Sequence, residues 1–207
     1  YIENFKNKQD LISWFKNEIK DLEEVYLIGH SLGGDLGRYL ASQFSQVNKL
    51  VLLDGGYLNL DEIMTLDDEL VDTKDYFSQQ VFTDIEEVIV SEKSQYSYWS
   101  KNLEEAVRNS YRYNSKTKEF ELNLDLDKII NLLRLRRSIK PFEINLDSTD
   151  VLFIAPVYQE EPKWRKEALS QLPSNFDITM LENSGHELYT QKPREIAKLI
   201  NDWINKK

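Results

Sequence analysis

The sequence predicts an α/β protein with a parallel sheet of about four strands, flanking helices and an inserted, mainly helical cap. Three observations carry this expectation. Short apolar runs alternate with amphipathic stretches at both ends of the chain, a long middle segment breaks the alternation, and 207 residues suffice for one core. The expected divisions are residues 1–56 for the first part of the core, 57–147 for the insertion and 148–207 for the second part.

From Asn4 to Leu22, the apolar residues Leu11, Ile12, Phe15, Ile19 and Leu22 recur at three- and four-residue steps among charged ones, which predicts an amphipathic helix. Val25-Tyr26-Leu27-Ile28 is a short apolar run ending at Gly29. A second run, Leu50 to Leu53, ends at Asp54-Gly55-Gly56; both read as buried strands. Between them Leu36, Tyr39, Leu40 and Phe44 keep helical spacing. The unit returns near the carboxyl end, where Val151–Ala155 and Ile178–Leu181 are strand-like and Trp164 to Leu172 is helical. A last amphipathic helix starts at Pro193 and runs through Ile196, Ile200 and Trp203, with proline suited to the first turn.

The middle is rich in acidic clusters and in aromatic residues, among them Tyr76, Phe77, Phe82, Tyr96, Tyr98 and Trp99. Helical patterns cover Leu103 to Val107 and Ile129 to Leu135. A polar turn, Asn114 to Lys118, can close a small hairpin between Tyr111-Arg112-Tyr113 and Phe120-Glu121-Leu122. The basic stretch Arg134-Leu135-Arg136-Arg137 reads as a solvated helix face.

Composition excludes several functions. Lys and Arg total 26 against 36 Asp and Glu, a net charge of −10 that disfavours nucleic acid and anionic membrane surfaces as partners. No apolar run approaches the roughly 20 residues of a spanning helix. The first residues, Tyr1-Ile2-Glu3-Asn4, show neither the basic nor the apolar region of a secretory signal. There is no cysteine, which removes disulfides, thiolate metal sites and cysteine nucleophiles and fits a cytoplasmic location. His30 and His186 are the two histidines. They stand far apart in the chain with no ligand spacing, so neither a metal nor a cofactor is expected.

Chemistry concentrates at Gly29-His30-Ser31-Leu32-Gly33-Gly34, a G-x-S-x-G sequence between the first strand and the second helix. In such an elbow the serine sits on a tight strained turn, and the glycines two before and two after it let backbones approach without a Cβ clash. The following helix directs its first N–H groups at the serine, which makes Leu32 N–H the natural oxyanion donor. A serine at its ordinary pKa needs a base within hydrogen-bond reach. His30 lies within the elbow, with its side chain expected to point away from Ser31 and to pack or hydrogen-bond. His186, in Ser184-Gly185-His186 past the last strand, is the candidate base.

These residues, with the strands at Leu50–Leu53 and Val151–Ala155 and with Gly185-His186 ahead of a proline-started helix, resemble the α/β-hydrolase superfamily. The resemblance covers about half the chain directly and assigns the middle to the variable cap. It implies a partial α/β-hydrolase fold, a Ser, acid, His triad and an acyl-enzyme intermediate. Hydrolysis of a small-molecule carboxylic ester or related acyl compound follows, with that acyl compound as the partner.

The acid departs from the usual pattern. In most members it follows the strand corresponding to Val151–Ala155, and here that loop reads Tyr158-Gln159-Glu160-Glu161, with Gln159 at the expected place. Glu160 or Glu161 can serve if the loop is one residue longer. Some members place the acid one strand earlier, where Asp54 stands. Asp54 is narrowly favoured over Glu160, and either can orient His186. Full-length members also carry further strands before the elbow strand, and a loop among them supplies a second oxyanion donor. The chain is accordingly expected to be the carboxyl-terminal part of a longer protein, and lack of one donor typically costs about 10²–10³ in rate. Its first strand would then expose an apolar edge through which chains could self-associate. The competing reading is a non-catalytic hydrolase-fold binding module or an inactive truncated fragment.

Overall fold

The computed structural model describes residues 3–95 and 99–206; Tyr96 and Tyr98 of the aromatic set, and Tyr1 and Ile2 of the first residues, lie outside the described residues. The chain order is α1 (Lys8–Glu18), β1 (Val25–His30), α2 (Leu32–Gln43), β2 (Val47–Leu53), α3 (Leu66–Gln79), β3 (Val81–Phe82), α4 (Ile85–Gln95), α5 (Lys101–Asn109), β4 (Tyr111–Asn114), β5 (Glu119–Leu122), α6 (Leu126–Arg137), β6 (Asp150–Pro156), α7 (Lys163–Ser170), β7 (Asp177–Leu181), α8 (Leu188–Gln191) and α9 (Pro193–Ile204). Four strands make one parallel sheet in the order β1-β2-β6-β7. This is the α/β architecture expected from the alternation at the two ends.

α1 is shorter than its apolar spacing implies. The Asn7 side chain accepts from the N–H groups of Gln9 and Asp10 and so starts the helix at Lys8, and the helix stops before Ile19. Within the sheet, period-two alternation divides β2 between two cores. Leu50 and Leu52 face the side covered by Leu11 and Phe15 of α1, Leu40 of α2, Leu132 and Leu135 of α6 and Ala168 of α7. Val51 and Leu53 face Leu188, Ile196 and Trp203 of α8 and α9. β2 and β6 are central and buried almost throughout, whereas the outer strands expose Tyr26 and Ile28 on β1 and Ile178 and Met180 on β7. Beside β1 lies an apolar groove of about 320 Å³, walled by Phe5, Trp14, Phe15, Leu36 and Leu132 among others.

The segment between β2 and β6 contains more strand than expected. It carries α3 to α5 and a three-stranded antiparallel sheet ordered β3-β5-β4, in which the expected hairpin pairs Tyr111 with Leu122 and turns at Lys118, φ +63°. A small core of Val88, Ile89, Val107 and Tyr111 holds it together. In the basic stretch of α6 Arg134 is exposed as expected, but Arg136 and Arg137 are not. Arg137 is buried and donates to Glu69 and Asp61 and to the carbonyls of Met64 and Thr65, while Arg136 pairs with Glu69. Sequence periodicity could not see this, because the partners lie on α3 and the loop before it, far away in the chain.

Because all four strands of the main sheet run the same way, they end along one edge at His30, Leu53, Pro156 and Leu181. Ligand chemistry in parallel α/β sheets gathers outside the carboxyl ends of the strands. Ser31 and Asp54 follow two adjacent strand ends directly, and the segment with His186 follows β7. Among the described residues, no helix is long and apolar enough to cross a membrane.

Candidate active site

Ser31 sits between β1 and α2 with φ +51° and ψ −123°. A non-glycine residue held there costs of order 1–3 kcal/mol and persists only where the surroundings enforce it. The enforcement is visible in the backbone. Ser31 N–H donates to Leu53 O at 3.1 Å, and Ser31 O accepts from Gly34 N–H at 2.8 Å. A Cβ on Gly29 would lie 2.3 Å from Gly33 O, so no side chain fits. The motif's second glycine behaves otherwise: a Cβ on Gly33 would meet nothing within 4 Å. The tight approach is made instead by Gly34, whose Cβ would come within 2.8 Å of Gly55. The Ser31 side chain does not cap α2, which leaves its Oγ available at the sheet edge. Leu32 is the first residue of α2, and its N–H belongs to the first-turn amides that a helix leaves without an internal partner.

The turn after β2 is strained in the same way, with φ +43° at Asp54. α2 holds it from below. Asp35 Oδ1 accepts from Gly56 N–H at 3.1 Å, and Arg38 donates to Gly56 O at 2.9 Å. Both side chains are buried, which pushes the Asp35 carboxyl up to about 6 and the Arg38 guanidinium down to about 10. The helix that starts at the serine therefore also fixes the backbone next to Asp54.

Asp54 is 6% exposed and uses both oxygens. Its Oδ2 accepts from His186 Nδ1 at 2.8 Å. Its Oδ1 accepts from Tyr57 Oη at 3.1 Å and from Arg165 at 3.2 Å. Arg165, itself 1% exposed, also donates to Tyr57 Oη and Pro156 O and pairs with Glu161. Burial alone would raise the Asp54 pKa, but the bonds from His186 and Arg165 outweigh it and hold the carboxyl below its ordinary 3.8. The bond to Asp54 raises His186 above its ordinary 6.5 against partial burial. These same bonds determine the tautomer: Nδ1 carries the proton and Nε2 keeps the lone pair.

Of the two acids left open by sequence, Asp54 is the one that meets His186. Glu160 is exposed on the loop after β6 and makes no hydrogen bond to His186; Gln159 lies beside it, and Glu161 is engaged by Arg165. His30 packs as expected of an elbow residue. Its ring lies 4.6 Å from the His186 ring and 4.8 Å from that of Tyr189, and its Nε2 is 2.9 Å from His186 O. His186 is thereby placed against the residue that precedes Ser31. A cavity of about 650 Å³ opens beside His186 and Asp54, lined by Tyr57, Leu58, Tyr158, Pro162 and Trp164 with Glu160 and Arg165.

Sequence reasoning missed Arg165, Tyr57, Asp35 and Arg38. Arg165 sits in Lys163-Trp164-Arg165-Lys166-Glu167, where nothing separates a buried cation from its solvated neighbours. Asp35 and Arg38, three apart on a helix, look like a surface pair.

A parallel α/β sheet with a strained serine corner, a histidine arriving after the last strand and a carboxylate that orients it defines the class of α/β-hydrolase-fold proteins. Sequence comparison agrees: a family model described as alpha/beta hydrolase fold matches residues 5–120, more than half of the chain, and the chain belongs to that family. No curated protein matches it. Among solved structures, E-2-(acetamidomethylene)succinate hydrolase is similar with a TM-score of 0.71 at 18% identity, covering 97% of this chain and 75% of that one. The thioesterase domain from the curacin biosynthetic pathway gives 0.66 at 17%, covering 92% and 71%. A carboxylesterase structure from the thaumarchaeon Nitrososphaera gargenis gives 0.65 at 16%, covering 98% and 73%.

Proposed function

We propose that the protein is a serine hydrolase acting on a small-molecule carboxylic ester or related acyl compound. The observation that carries this reading is the 2.8 Å bond from His186 Nδ1 to Asp54 Oδ2, with Ser31 held at φ +51° at the end of the neighbouring strand. Ser31 Oγ attacks the acyl carbon while His186 Nε2 takes its proton, and Asp54 stabilises the resulting imidazolium. Leu32 N–H donates to the developing oxyanion. The tetrahedral intermediate collapses, His186 returns the proton to the departing alcohol, and an acyl-Ser31 ester remains. Water, deprotonated by His186, then attacks that ester and releases the acid.

The cavity favours an uncharged acyl or alcohol group. Tyr57, Leu58, Tyr158, Pro162 and Trp164 give it an aromatic and aliphatic wall, the exposed Glu160 disfavours an anionic group, and Arg165, its one Lys or Arg among the described lining residues, is spent on Asp54, Tyr57, Pro156 and Glu161. The test is covalent labelling by a fluorophosphonate together with hydrolysis of a p-nitrophenyl ester. Labelling and turnover are expected in the parent chain and absent in Ser31→Ala. A parent that folds and is not labelled would turn the reading to a binding module.

A further inference from the structure

A separate chemistry is available at the same edge. His30, His186 and Glu187 each offer one ligand atom, and these three atoms lie within 4.8 Å of one another. The fold bridges the long chain separation that argued against a ligand set. Both rings are already oriented. His30 is held between His186 and Tyr189, with its Nε2 against the His186 carbonyl; because a carbonyl only accepts, that nitrogen carries the proton and the lone pair sits on Nδ1. His186 gives its Nδ1 proton to Asp54 and keeps its lone pair on Nε2. A carboxylate holding a metal-binding histidine in one tautomer is a recurrent support for metal ligands.

The charge around the cluster also suits a cation. Glu92 of α4 lies close enough to Glu187 to interact with it electrostatically, so a second carboxyl faces the cluster. Neither carboxylate is in an ion pair with a cation among the described residues.

We propose that His30, His186 and Glu187 bind one borderline divalent ion, with Zn²⁺ or Cu²⁺ the matching class, and that the bound ion blocks the site by occupying the His186 lone pair. Two imidazoles and one carboxylate are donors of that class, and three protein ligands leave a position for water. Capture of Nε2 removes the group that must accept the Ser31 proton. The binding claim stands on the cluster alone, while the inhibitory consequence rests on the hydrolase reading.

The experiment uses the full chain freed of metal with a chelator. Co²⁺ is titrated by visible absorption and Zn²⁺ by calorimetry, in the parent, His30→Ala and Glu187→Gln. One ion per chain is expected, with affinity falling at least about tenfold in each variant, the scale on which even indirect ligand support is lost. Binding should weaken as pH falls, because protons compete for the imidazoles. Zn²⁺ should slow p-nitrophenyl ester hydrolysis by the parent, a chelator should restore it, and each variant should need more Zn²⁺ for the same fractional loss. Circular dichroism identifies a variant that has not folded, and Glu187→Gln, at a half-buried surface position, decides the matter if His30→Ala does not fold. No bound ion, or equal binding in the parent and every folded variant, overturns the proposal. If the parent hydrolyses nothing, the titrations still decide the binding claim, and only the hydrolase reading fails.

Discussion

The turn after β2 and the loop after β6 end neighbouring strands of one sheet at one edge, and both carry carboxylates, yet only one of them holds an imidazole. Asp54 follows its strand directly at positive φ, donates its N–H to Ile154 O, is flanked by Leu53 and Gly56 that are themselves bonded to Ser31, Asp35 and Arg38, and has its second oxygen filled by Tyr57 and Arg165. Glu160 lies several residues beyond its strand on an exposed stretch and shares the cavity without touching His186. A carboxylate orients a base when its own backbone and its spare lone pairs are already committed. Proximity along the chain does not supply that.

Substitutions test this contrast, and Asp54→Asn is expected to have the largest effect. Replacing the carboxylate by an amide removes the charge that stabilises the imidazolium and fixes the tautomer, and turnover of a p-nitrophenyl ester should fall by about 10⁴. Equal rates for Asp54→Asn and the parent would reverse the assignment. Next comes Arg165→Met, which leaves Asp54 and Glu161 without their buried cation. Stability measured by urea unfolding should drop by about 3–5 kcal/mol, whereas the exposed Glu160 has no buried cation to lose.

The pH dependence sharpens the comparison further. In the proposed mechanism His186 serves as base only when neutral, and Asp54 raises its pKa. The acid limb of kcat/KM should therefore have its midpoint above 6.5 in the parent. Asp54→Asn should move it downward, because the largest cause of the rise is gone, and Glu160→Gln should leave it in place. The smallest effect is that of Glu160→Gln on stability, less than about 0.5 kcal/mol as for other exposed positions.

The elbow could be read from the sequence because its chemistry is local. Gly29, Ser31 and Leu32 do their work within one turn of chain, and strand and helix periodicities on either side place that turn. The choice between Asp54 and Glu160 was not local. It depends on which strand neighbours β1 and on Arg165, whose partners Asp54 and Tyr57 lie more than a hundred positions away. The segment between β2 and β6 shows the same divide. Its hairpin announced itself through a polar turn between aromatic strands, while the burial of Arg136 and Arg137 follows from acidic partners on α3 and in the loop before it, which no spacing reveals.

Gly55 has a bearing on any attempt to redesign this protein. A methyl group there would lie 2.2 Å from the Ser31 carbonyl oxygen, so the corners that carry Ser31 and Asp54 are stacked main chain against main chain. Even alanine would wedge them apart. New specificity is better carved at Trp164, an exposed residue of the cavity wall, than at Tyr158, whose ring lies 4.6 Å from the Arg165 guanidinium that bonds Asp54.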